Sequence, residues 1–273
     1  TWPYGDYDKY IAIYEREAAE GKIPSDRDRF ALSEASVITR RTPHYSLSTA
    51  LDYRAGKPGY QQHPWMATLG TSTTVYTNCP GGDNLRQSPN YWAGNEYLPR
   101  AAQHGNVAIC IHDIPESTPR RFSHAYFPAA EMDETVRSSH WTFGRKGDGY
   151  IAIYSSTEPV LLKDFRNIEC DLKADSPFNI WVCELGDAAH WQSFEAFRKA
   201  VLSADISVHD RTLRYASPSS GTISFGLSTP LTADGREISL RLPYRYNNPY
   251  CTAPVAPDSI TISRGPLSHT LTR

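Results

Sequence analysis

The side chains best equipped for chemistry fall into three groups. Gln61, Gln62 and His63 stand beside Trp65; Trp92, Asn95, Tyr97 and Arg100 run into Gln103, His104 and Asn106; His124-Ala125-Tyr126 sets a His and a Tyr two residues apart. In a strand that spacing puts both on one face. Two chemistries suit these residue types. Aromatic faces stack on pyranose rings while amides read hydroxyls, which is glycan binding. Equally, an amide or a cation neutralises a carboxylate while Tyr or His moves a neighbouring proton, which is acid–base catalysis. The candidate catalytic residues are therefore His63, Tyr126, His124 and Arg100, and the candidate substrate contacts are Gln62, Trp65, Trp92 and Asn95. The opposing reading is that the same aromatics fill a β-rich core, as Trp and Tyr often do.

Other machinery is missing from the sequence. There is no P-loop, GxGxxG, GxSxG or HExxH pattern. A paired-carboxylate glycosidase has less support, because acidic residues are sparse in these segments. Lys146-Gly147-Asp148-Gly149 holds an Asp between glycines, but no second acid follows at calcium-ligand spacing, so it reads as a hairpin turn. With Lys+Arg 28 against Asp+Glu 30 there is no basic field for nucleic acid, and no run of eighteen apolar residues to span a membrane. Cys79, Cys110, Cys170, Cys183 and Cys251 form no CxxC pair. Cys170 and Cys183 flank Asp175-Ser176-Pro177, which in a symmetric hairpin would set them opposite each other. They are then either bridged or, like the other three, small buried apolar side chains. The opening Thr1-Trp2-Pro3, with no Met and no leader-like stretch, is expected of a piece of a longer polypeptide.

These residues require a β framework to position them. Aromatics at 12% and 20 prolines favour strands and rigid turns. Residues 45–53 alternate one by one, the mark of a half-buried strand. Further strand signals recur at 65–69, 73–77, 106–112, 122–127, 140–145, 150–154, 167–172, 179–184, 206–209, 222–226, 237–242 and 259–263. Two helices are expected: residues 4–22, from the spacing of Tyr7, Tyr10, Ile11 and Tyr14, and residues 191–202, from Phe194, Phe197, Val201 and Leu202. The expected fold is mainly β, a large antiparallel β-sandwich over residues 36–273 preceded by a helical segment or linker at 1–35.

Several of these stretches taken together resemble a known group. Tyr45-Ser-Leu-Ser-Thr49, the run from Gly59 to Trp65, Thr77-Asn78, Trp92-Ala-Gly-Asn95, Leu98-Pro-Arg100, His124-Ala-Tyr-Phe-Pro128, Arg145-Lys-Gly-Asp-Gly-Tyr150 and Arg245-Tyr-Asn-Asn-Pro-Tyr250 are similar to the C-terminal β region of heparinase II/III-like polysaccharide lyases. That superfamily joins an α/α toroid to a supersandwich. The resemblance implies a secreted polysaccharide-active protein that cleaves a uronic-acid-containing glycan by β-elimination, with an upstream toroid domain of the same polypeptide as partner. It also implies a divalent metal held by a His-x-His pair, an acid and a further His. The matching positions here are Gln61-Gln62-His63, Asn78 and His104, an incomplete ligand set in which amides replace a His and the acid. Tight zinc binding is therefore not expected. Two alternatives remain: a non-catalytic glycan-binding or scaffolding sandwich, and part of a glycoside hydrolase whose acids lie elsewhere.

Overall fold

The computed structural model describes residues 12, 13, 15–17, 19, 20, 35–255 and 257–272. The chain divides into two units, residues 1–34 and 35–273. In the first, Ala12, Ile13, Glu15, Arg16, Glu17 and Ala19 are helical, and the Glu20 N–H donates to the Arg16 carbonyl at 3.0 Å. The rest of the helix expected over residues 4–22 lies outside the described residues.

The second unit is mainly β and entirely antiparallel in its strand pairing. Its seven-stranded sheet runs in the order β1 (Ser36–Arg41), β2 (Tyr45–Leu51), β3 (Trp65–Leu69), β4 (Thr73–Asn78), β7 (Ser123–Tyr126), β12 (Glu169–Ala174) and β11 (Val160–Lys163). The six-stranded sheet runs β5 (Arg100–His104), β6 (Val107–Asp113), β13 (Phe178–Asp187), β10 (Gly149–Ser155), β9 (Trp141–Lys146) and β8 (Glu134–Ser138). After β13 come the short helix α1 (Ala188–Trp191) and α2 (Phe194–Leu202), then a five-stranded sheet of β14 (Ile206–His209), β15 (Thr212–Ser217), β16 (Gly221–Gly226), β17 (Thr232–Ala233) and β18 (Arg236–Glu237). Two hairpins follow, β19 (Tyr244–Asn248) with β20 (Cys251–Pro254), and β21 (Ser259–Arg264) with β22 (Leu267–Thr272).

The six-stranded sheet is the middle layer, and its sequence explains why. Along β6, Val107, Ile109 and Ile111 belong to one buried cluster and Ala108 and Cys110 to another; along β10, Tyr150, Ala152 and Tyr154 face one way and Ile151 and Ile153 the other. A strand apolar at every position can only be stable with both faces covered. One face packs on Leu47, Ala67, Val75, Ala125 and Leu172 of the seven-stranded sheet. The other packs on Phe194, Phe197 and Val201 of α2 and on Leu213, Tyr215, Ile223 and Phe225 of the five-stranded sheet. Helix α2 starts at Ser193, whose side chain accepts from the Ala196 N–H, and buries only its Phe and Val stripe. The Lys146–Gly149 turn closes β9 and β10 as a two-residue hairpin.

Three expectations need correcting. Cys170 lies in the seven-stranded sheet and Cys183 in the six-stranded sheet, so the 175–177 turn is a crossover between sheets and not a hairpin; the two thiols are free. The strand expected over 237–242 is confined to Arg236–Glu237. Strands β1, β5, β8, β11, β15, β17, β19, β20 and β22 were not expected from sequence. Of these, β1, β5, β8 and β11 are sheet edges and β19, β20 and β22 belong to two-stranded hairpins, which need not alternate when one or both faces meet water, whereas β15 does alternate and β17 spans only two residues.

Candidate functional site

The outer face of the seven-stranded sheet gathers most of the candidate residues. Alternation turns Val75, Ala125 and Leu172 inward and leaves Tyr76 and Asn78 on β4, His124 and Tyr126 on β7, and Asp171 on β12 pointing out. The register places Tyr76 opposite Tyr126, Asn78 opposite His124, and Tyr126 opposite Asp171.

The loop of residues 79–99 folds over this face, fastened by Asn95. Asn95 and the 59–60 backbone exchange hydrogen bonds of 2.9 and 3.0 Å, its Nδ2 donates to the Gln62 carbonyl at 2.8 Å, and its Oδ1 accepts from the Cys79 N–H at 2.8 Å. Gly94 has φ +98°, and a Cβ there would fall 1.1 Å from the Tyr60 carbonyl oxygen, so the loop can close only on glycine. The Gly94 N–H donates to His63 Nε2 at 3.3 Å.

This loop delivers Tyr91 and Trp92 onto His124. The indole lies flat on the imidazole, with centroids 4.3 Å apart at 8°, and Tyr91 meets the same ring edge-on at 4.7 Å. His124 Nδ1 is 2.8 Å from Asp171 Oδ1, and its Nε2 faces the Tyr91 carbonyl at 3.1 Å. The Tyr91 hydroxyl donates to Asp171 Oδ2 at 2.5 Å. Both ring nitrogens face acceptors, so the network is satisfied in full only by the doubly protonated ring, a cation sandwiched under the indole and paired with Asp171. The two side chains are 0% and 3% exposed. Sealing such a pair is tolerable only because every polar atom has a partner.

A second acid, Asp164, organises the turn between β11 and β12. It accepts from Trp92 Nε1 at 2.9 Å, from the Arg166 backbone N–H at 2.8 Å and from Arg166 Nε at 2.6 Å. Burial works against its ionised form, but these donors outweigh it and hold the carboxyl below its usual range. Arg166 Nη2 also reaches Cys170 Sγ at 3.8 Å, and Phe165 projects beside the guanidinium, 46% exposed. Burial, and next the Asp164 charge, push the Cys170 thiol up to about 12, so it is not a nucleophile at neutral pH.

The rings form a continuous strip. Phe165 meets Tyr91, Trp92 meets Tyr126 edge-on at 5.2 Å, Tyr126 stacks on Tyr76 at 5.4 Å, and Tyr76 touches His63 at 4.2 Å. His63, Tyr76 and Tyr126 are half-buried. Burial, then the charge on His124, lowers the His63 pKa to about 4, so this ring is neutral at pH 7. Its Nε2 accepts from Gly94, so Nδ1 carries the proton, and that Nδ1 is buried without a partner, as are Gln62 Oε1 and Asn78 Oδ1. Burial also raises the Tyr126 pKa, partly offset by Arg166.

The other expected site residues lie elsewhere. Trp65 points inward, 2% exposed, with Nε1 donating to Thr77 Oγ1 at 2.8 Å inside the core between the sheets. Arg100 is spent on Asp52 at 2.9 and 3.0 Å and on the carbonyls of Gly226, Leu227 and Thr229, tying β5 to the end of β16. Neither faces the strip. Trp92 and His124 are floor and wall, with no ring nitrogen left to offer a ligand. Tyr76, Tyr91, Asp164, Phe165, Arg166 and Asp171 were missed. For Asp171 a signal existed, since it alternates with Cys170 and Leu172, but the pairing of β12 with β7 is long-range and leaves no trace in local spacing.

A divalent metal fits these residues poorly. His124 has both nitrogens occupied, His63 Nε2 accepts from an amide N–H, His104 ends β5 in the other sheet, and Asn78 offers only an amide oxygen. Among the described residues no three His, Cys, Asp or Glu side chains meet as metal ligands. No protein-family model, curated protein or solved structure matches this chain.

Proposed function

We propose that this chain is the β-sandwich portion of a secreted polysaccharide-active protein and that the ring strip on its outer face is the sugar-contacting surface. The observation carrying this reading is the combination of half-buried Tyr76, Tyr126 and His63 with exposed Phe165 and Arg166 over a sealed, fully hydrogen-bonded base of His124, Asp171, Trp92 and Asp164. A rigid base with an accessible aromatic rim is what stacking on pyranose rings requires. Within the lyase reading, Tyr126 is the member of the strip able to move a proton, and burial keeps its phenol protonated at neutral pH, which suits a proton donor. The base for β-elimination from a uronic acid then comes from another part of the polypeptide, an upstream toroid.

The test incubates the full chain with uronate-containing and neutral polysaccharides while following binding and the ultraviolet absorbance of the unsaturated product. Absorbance that rises with the chain alone supports a self-sufficient lyase. Binding without product supports a glycan-binding sandwich, and binding to none of the polysaccharides overturns both readings.

A further inference from the structure

We propose that Arg166 is the residue by which this face reads acidic sugars, donating from Nη1 to the carboxylate of a uronic acid residue seated between Phe165 and Tyr126. The inference rests on the sugar-contacting reading of the strip and adds to it the residue that sets charge preference.

Three features single out this guanidinium. First, it is held rigidly: Nε and Nη2 both lie 2.6 Å from Asp164 Oδ2, and the Asp164 side chain is 0% exposed and itself anchored by Trp92. Second, it is open, with 36% of its side chain exposed, and beyond Asp164 its polar contacts among the described residues are Cys170 Sγ and the Tyr126 hydroxyl. Third, it borders the strip, with its Cζ 5.7 Å from the Phe165 centroid. The Tyr126 hydroxyl lies within hydrogen-bonding reach of this guanidinium, so a phenol and a guanidinium donor sit together on one patch. Their proximity agrees with the way Arg166 opposes the rise of the Tyr126 pKa. A fork fixed on one side by a buried acid, with its other edge turned to solvent beside a phenol, is pre-organised for a second, planar carboxylate.

Three other arginines are already engaged. Arg100 has all three nitrogens engaged, Arg120 is spent on Asp83 and the Gly81 carbonyl, and Arg145 faces Asp133 and Glu134. Lys163, exposed beside Asp164, adds positive charge.

The test measures calorimetric affinities of the full chain for oligogalacturonate, oligoglucuronate and oligomannuronate, and for the carboxyl-reduced form of each. The wild type is expected to prefer an acidic oligosaccharide to its reduced counterpart. Arg166→Gln should weaken binding of that acidic ligand by about ten- to a hundredfold, the worth of a hydrogen bond to a charged group, while leaving the reduced ligand within about twofold. Arg166→Lys, which keeps a cation against Asp164, guards against misfolding and should show a smaller loss confined to the acidic ligand. If the wild type binds acidic and reduced forms alike, or if both variants weaken the two forms equally, the role of Arg166 is overturned while the sugar-contacting face stands. If no oligosaccharide of either kind binds, the face itself is misread and the proposal falls with it.

Discussion

Two buried carboxylates, Asp171 and Glu184, are served by tyrosine hydroxyls in similar ways and yet belong to different kinds of site. Asp171 receives Tyr91 and a histidine cation on the outer face of the seven-stranded sheet. Glu184, on β13 in the middle layer, receives the hydroxyls of Tyr215 and Ser219, and Ser219 is in turn bonded to Asn106. Glu184 has no cation, and burial raises its pKa despite those hydroxyls. It fastens the β15–β16 turn to the end of β13 and is itself fully buried. The difference teaches that a buried acid marks a candidate site only when its cluster opens onto a rim. Asp171 has that rim in Tyr76, Tyr126, Phe165 and Arg166; Glu184 is ringed by Tyr215, Ser219 and Asn106 and carries no such aromatic rim.

The sharpest way to break the comparison is to neutralise each acid. Asp171→Asn should cost about 3–5 kcal/mol, because it leaves the buried His124 cation unpaired. Glu184→Gln should cost about 1 kcal/mol or less at pH 7, since the amide oxygen still accepts from one of the two hydroxyls and the amide N–H donates to the other, which turns to accept. The raised Glu184 pKa adds a signature. Its contribution to stability is complete below the ordinary carboxylate pKa and is lost as pH rises through the raised value, so Glu184→Gln should gain on the wild type as pH rises above the ordinary carboxylate range. Equal costs for both substitutions in denaturant titrations would show that the two clusters are energetically alike.

A second effect comes from two histidines kept neutral by burial. His63 is held at about 4, by burial and then the His124 charge, and His112, inside the core between the sheets, at about 3 for the same causes in the same order. Both folded values lie below 6.5, so the unfolded chain binds more protons in between. The stability they contribute is therefore complete above pH 6.5 and is lost as pH falls towards 4. Each adds a slope of about 1.4 kcal/mol per pH unit in that window. His63→Gln and His112→Gln should each remove one such slope, as read from urea unfolding at pH 7, 6 and 5. An unchanged slope in both would mean that neither ring stays neutral in the fold.

The smallest effects separate wall from rim. Trp65→Phe loses a buried hydrogen bond to Thr77 and should cost about 1–3 kcal/mol without altering affinity for an oligosaccharide. Tyr126→Phe should shift stability by about half a kcal/mol or less, yet weaken oligosaccharide binding severalfold. A Tyr126 variant that melts early and binds normally would move this residue from rim to core.

Much of the fold was legible because period-two alternation is a local property. The strands at 65–69 and 206–209 were placed to the residue, and the amphipathic stripe of Phe194, Phe197 and Val201 marked the longest helix of the second unit. The pairing of His124 with Tyr126 on one face was also legible, for the same reason. Composition, strand periodicity, the helical stripe and the lack of a run of eighteen apolar residues are all properties of the chain or of short windows of it. Tertiary structure alone decided that β13 crosses into another sheet, that Asp171 lies beside His124 although 47 positions separate them, and that Trp65 is core whereas Tyr126 is rim. Those facts depend on which strands become neighbours, and antiparallel pairing across long loops is fixed by the shared burial of whole faces, a free energy that no short window of sequence contains.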